Sequence, residues 1–147
     1  MVAILVYSCL LGVNISFAAE QDANAVAEEI KNELAKQNAI TVQEANAMDY
    51  HIKGILAKGV KKEDVKNIII DFSNSGLSGN DLQGAISFAN QLISDGEDPR
   101  EAVNIVSRAA QEAKAQGLTG MEFNARIEEV IKQRKAIAGA LKEKLKK

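Results

Sequence analysis

Gly76-Leu77-Ser78-Gly79-Asn80-Asp81-Leu82 has a counterpart 41 residues later in Gly117-Leu118-Thr119-Gly120-Met121-Glu122-Phe123. The shared pattern is glycine, leucine, a hydroxyl residue, glycine, any residue, an acid and a large apolar residue. A hydroxyl followed three places on by an acid is the spacing of a helix capping box. In that device the hydroxyl accepts from the N3 amide and the acid reaches back to the cap amide. Gly76 and Gly117 suit the left-handed residue that ends the preceding helix. Leu77 and Leu118 fall where a hydrophobic staple packs. The phrase therefore reads as a corner between two helices.

A third corner lies upstream. Ile40-Thr41-Val42-Gln43-Glu44 places an apolar residue, a hydroxyl and an acid at the same offsets. The three caps Thr41, Ser78 and Thr119 are 37 and 41 residues apart, and the difference of four is about one helical turn. Gly59 and Gly96, Asn67 and Asn104, and Ile68 and Ile105 keep the same 37-residue offset. A fourth cap, Asp98, precedes Pro99 at the first helical position and Glu101 at the third. A period near 40 residues is characteristic of stacked helical hairpins.

Apolar spacing places helices near residues 22–37, 42–58, 62–74, 79–94 and 98–116, with a last one after Thr119. That last helix meets no breaker except Gly139. The expected fold is all-α: about six helices as three helical hairpins, near 22–58, 62–94 and 98–138, in a compact bundle or short solenoid. Composition agrees. The 147 residues are 46% hydrophobic and 26% charged, with one proline, which is globular and favours helix formers over strand formers.

Residues 1–19, MVAILVYSCLLGVNISFAA, contain no charged side chain. Ser16 and Ala18 are the small residues of a signal-peptide cleavage site, so export with cleavage after Ala18 or Ala19 is expected, although no basic residue precedes the apolar run. A membrane anchor is the weaker reading, because the stretch is short and is interrupted by Asn14 and Ser16. Lipidation at Cys9 fits poorly with Tyr7 before it and the apolar Leu10-Leu11 after it. Residues 20–147 form the expected single domain, periplasmic or secreted, and free of cysteine.

Charge is unevenly distributed. Residues 132–147 hold seven Lys and Arg against one Glu, a net +6; the whole chain is at −2, so residues 1–131 carry −8. The basic helix 134–147 spaces Ile137, Leu141 and Leu145 along one face. Arg134, Lys135, Lys142, Lys144, Lys146 and Lys147 form the candidate partner surface, for an acidic protein or an anionic membrane. Lysines also suit a solvated helix C-terminus. An acidic body excludes nucleic acid as the expected partner.

Chemistry is harder to find. Asp71, Ser73, Ser75 and Gly76 fill positions 1, 3, 5 and 6 of a calcium loop, but position 12 is Leu82 and the second phrase has no such ligands. His51 is the single histidine, and no cysteine follows it to complete a metal site. Asp95, Glu97 and Asp98 gather around Gly96, where the cap role of Asp98 already accounts for them. No phosphate loop, nucleophile elbow or metal pair appears, so no catalytic residue, metal or cofactor is expected. The expected function is an exported interaction or scaffold module with a protein partner. A periplasmic chaperone-like or stress-associated protein is the first alternative. An enzyme with its site near His51 is the second.

Overall fold

A computed structural model describes the backbone of residues 23–144; the expected signal segment 1–19 lies outside them. Helix α1 covers residues 23–36. It is followed by α2 (Val42–Ala47), α3 (Asp49–Ala57), α4 (Lys62–Asn74), α5 (Gly79–Ser94), α6 (Pro99–Ala115) and α7 (Gly120–Lys144). The fold is all-α, with no strand among the described residues. None of the described helices is long and apolar enough to cross a membrane.

The sequence predicted one helix over 42–58, and the structure divides it at Met48. No glycine or proline marks the break. Met48 is fully buried, and Asp49 after it opens α3 with ion pairs to Lys31 on α1 (2.8 Å) and Lys53 (2.6 Å). The buried positions Ala45, Met48, Ile52 and Ile55 keep three- and four-residue spacing through the break, so the same face stays in the core. At the other end, Gly139 does not interrupt α7, and the basic segment is continuous with it.

Helix ends close as the glycines predict. Gly76 has φ +83°, and the amide of Leu77 behind it donates to the carbonyl of Phe72 at 3.2 Å, which satisfies an otherwise orphaned carbonyl. Leu118 donates to Ala113 (3.0 Å) and Glu97 to Leu92 (3.0 Å) in the same way. At the end of α1, Asn38 takes the left-handed conformation, and Ala39 donates to Leu34 at 3.0 Å.

Helix starts depart from the expected scheme. Thr41 forms the full capping box: its hydroxyl accepts from the Glu44 amide (3.1 Å), and Glu44 Oε2 accepts from the Thr41 amide (2.8 Å). Asp98 Oδ1 accepts from the amides of Arg100 (3.0 Å) and Glu101 (3.3 Å), as expected. Ser78 occupies the N-cap position, but its hydroxyl makes no capping bond. Thr119 likewise starts α7, with its carbonyl accepting from Phe123, yet no side-chain bond joins it to Glu122 among the described residues.

The second glycine of each phrase makes a longer-range bond. Gly79 (φ +54°) and Gly120 (φ +57°) turn the first helical amide outward, toward the preceding corner. Gly79 donates to Glu44 Oε1 at 2.5 Å, and Gly120 donates to Asp81 Oδ1 at 2.7 Å. Asp81 also accepts from Lys114 Nζ at 2.6 Å. With both of its oxygens taken, this carboxylate does not close the box on Ser78, whose carbonyl instead accepts from the Asp81 amide at 3.2 Å.

Helix α5 sits at the centre, packed against α2, α3, α4, α6 and α7. Its Leu82, Ala85, Ile86 and Ala89 are buried, and Phe72 of α4 and Phe123 of α7 are the largest fully buried side chains. Helix α6 contributes Ala102, Ala109, Ala110 and Ala113. Small side chains of this kind let neighbouring helices approach closely. Helix α1 is tied to α4 by Glu29–Lys62 (2.6 Å), Glu33–Lys62 (3.2 Å) and Glu33–Lys66 (2.9 Å).

Two predictions follow from the helix starts. Thr41→Ala will destabilise the fold by about 1 kcal/mol, while Ser78→Ala will stay within roughly 0.5 kcal/mol of wild type. Urea denaturation of both variants checks this, and equal losses would contradict the bond pattern. The second concerns pH. Amide donation from Gly79, and then from Thr41, holds the Glu44 carboxyl below its ordinary value of 4.5. A depressed carboxyl contributes stability that is present above the unfolded pKa and lost as pH falls through the folded value. Melting temperatures measured from neutral pH down to about pH 3 will therefore fall less steeply for Glu44→Gln than for wild type.

Candidate functional site

Two glycines inside helices mark where α5 meets its neighbours. A Cβ on Gly54 of α3 would lie 2.7 Å from Asn90 Nδ2, and one on Gly84 of α5 would run into Asn124 Oδ1. Helix α5 thus presses an asparagine onto α3, and α7 presses one onto α5. The Oδ1 atoms of Asn90 and Asn124 are buried without a hydrogen-bond partner.

Along this seam runs an open groove of about 310 Å³, lined by His51, Asn80, Gln83, Ser87, Met121 and Asn124 together with Gly84 and Gly120. None of these residues carries a formal charge at neutral pH, in a chain that is 26% charged. Gln83 is partly committed, since its Nε2 donates to the Ala47 carbonyl at 3.3 Å. Two apolar side chains stand out from the rim: Tyr50 is 78% exposed and Met121 is 90% exposed. The Tyr50 ring meets His51 edge-on, with centroids 5.4 Å apart.

His51 is half-buried, and burial lowers its pKa below the ordinary value of 6.5. Its Nδ1 is buried without a partner. A histidine base needs a nucleophile on one ring nitrogen and an orienting acceptor on the other. Ser87 lines the same groove, but no hydrogen bond joins it to His51, and no carboxylate lines the groove. What the arrangement offers is a row of neutral donors and acceptors flanked by an aromatic ring and a thioether. Such a surface suits hydrogen bonding to uncharged polar groups together with apolar contact.

The other residues singled out in the sequence fall elsewhere. Asp71 and Ser73 lie within α4, whose last residue is Asn74, so no calcium loop can begin at Asp71. Ser73 Oγ donates to the Ala39 carbonyl (2.6 Å), and Ser75 Oγ to the carbonyls of Asp71 and Phe72 (2.9 Å each). Among the described residues, no group of three or more His, Cys, Asp or Glu could hold a metal ion.

Part of the basic surface forms ion pairs within the chain. Because α7 packs along α6, Arg134 is ion-paired with Glu101, and Lys135 with Asp95 at 2.6 Å. Both side chains pair within the chain and stay about half exposed, at 47% and 48%. Lys144 is exposed; the side chains of Lys142, Lys146 and Lys147 lie outside the described residues.

No protein-family model, curated protein or solved structure matches this chain.

The seam generates its own test. Gly84→Ala adds helix propensity worth about 0.5–1 kcal/mol but displaces the Asn124 amide. Gly84→Ala alone is expected to destabilise the protein. In an Asn124→Ala background it is expected to stabilise by about 0.5 kcal/mol, a coupling that a double-mutant cycle in urea measures. Additive effects would mean the two residues do not meet.

Proposed function

We propose that the chain is an exported interaction module that binds a protein partner through the face formed by α3, α5 and α7, and that it performs no chemistry of its own. The single observation that carries this reading is the uncharged, amide-lined groove flanked by exposed Tyr50 and Met121. Aromatic residues and methionine are enriched, and charge depleted, at the centres of protein interfaces. The packing of α5 against both α3 and α7 supports the same reading, since helices side by side offer an extended face.

A chaperone for unfolded clients would call for a continuous apolar surface. The exposed large apolar residues are instead spread over α2 (Val42), α3 (Tyr50) and both ends of α7 (Met121 and Ile137). An enzyme would call for a pocket in which polar groups converge on a reactive side chain. Export rests on the composition of residues 1–19.

A photo-crosslinking amino acid placed at Tyr50 or Met121, and at exposed Lys36 at the end of α1 as a control, tests the proposal in the native host. One discrete adduct common to positions 50 and 121 and absent from position 36 is expected. A broad ladder of adducts would favour a chaperone. No adduct at either position would overturn the reading.

A further inference from the structure

The helices on the opposite side are joined unequally. Three ion pairs bridge α1 and α4, and Glu112–Arg126 (3.0 Å) and Glu101–Arg134 bridge α6 and α7. Among the described residues, no ion pair crosses from α4 to α6. A groove of about 470 Å³ opens there instead. Its floor is apolar, from Ile68, Pro99 and Val103, and its rims carry Asp64, Asp71 and Asp98 against the single cation Arg100. Asp64 and Asp71 are exposed.

The same chain carries the complement. Ile131 is the last buried residue described on α7, and the helix runs on to Lys144. Those 13 residues span about 20 Å at 1.5 Å per residue. Ile137 on this stretch is 65% exposed, and residues 138–147 hold four Lys against one Glu, a net +3. Helix α7 packs along α5 and α6 of its own body, where Arg134 and Lys135 pair with Glu101 and Asp95, and neither acid lines the groove. Held there, the helix cannot also lie between its own α4 and α6.

We propose that the groove between α4 and α6 receives the basic C-terminal end of α7 from a second copy of this chain, in a reciprocal dimer. Ile137 contacts the apolar floor, and the lysines beyond it face Asp64 and Asp71. Reciprocal exchange of one element for one groove closes on itself as a two-fold dimer and leaves no open end. The groove lies apart from the α3–α5–α7 face, so this inference does not depend on the partner-binding proposal.

Sedimentation of the purified chain over a range of concentrations tests it. A dimer is expected at about 0.05 M salt, with a dissociation constant raised at least about tenfold at roughly 0.5 M, because exposed charges are screened. The variant Asp64→Lys/Asp71→Lys and the variant Lys142→Glu/Lys144→Glu/Lys146→Glu are each expected to be monomeric, with the wild-type circular dichroism spectrum. Mixed in equal amounts they are expected to form a heterodimer, because the acidic tail of one now fits the basic groove of the other. A chain that is monomeric at every concentration, or a dimer indifferent to both sets of substitutions, overturns the inference. So does a monomer whose tail binds vesicles of anionic phospholipid, which would assign the tail to a membrane. A monomeric chain that still gives the discrete adduct at positions 50 and 121 would fail this inference alone.

Discussion

A carboxylate on one corner holding the first free amide of the next is the contact on which the stacking depends. The first amides of a helix have no partner inside it, and they sit at the positive end of the helix dipole. Glu44 meets that need for α5, and Asp81 meets it for α7. Asp81 is almost fully buried and is balanced by Lys114 of α6, so one side chain joins the start of α5, the end of α6 and the start of α7. Hydrophobic burial drives these helices together, but it is poorly directional. The acid–amide contacts add direction, because each accepts only one placement of one helix start against the other.

Much of this was legible in the sequence, and the limits are instructive. Helices α4, α5 and α6 begin and end within a residue of their predicted bounds, because glycines and one proline punctuate them. Thr41 and Asp98 cap as their spacing implies. Ser78 does not, because both oxygens of its acid are taken, one by the Gly120 amide and one by Lys114, and spacing alone reveals neither distant partner. The signal that could have revealed the amide was the second glycine of the phrase, which a capping box does not require. The break at Met48 had no sequence mark at all: Asp49 is drawn toward Lys31, a lysine buried to 7% exposure, and a buried lysine reads in sequence as one more solvated charge.

The candidate face was least visible of all. His51 was noticed as a lone histidine, but the residues beside it, Asn80, Gln83, Ser87 and Asn124, are ordinary surface types that gain meaning only when α3, α5 and α7 lie side by side. Gly54 and Gly84 were the available hints, since a glycine inside a helix sacrifices stability and usually marks a close approach. The basic end of α7 was read correctly as a charge asymmetry, while the engagement of Arg134 and Lys135 required knowing that α7 runs alongside α6.

The acid–amide contacts also have an order in time. In both, the acid precedes the amide it holds, by 35 residues for Glu44 and Gly79 and by 39 for Asp81 and Gly120. A ribosome delivers the chain in that same order. Each hairpin that emerges finds its anchor already made, and none has to wait for a segment not yet synthesised. The direction in which the corners lock is the direction in which the chain is born.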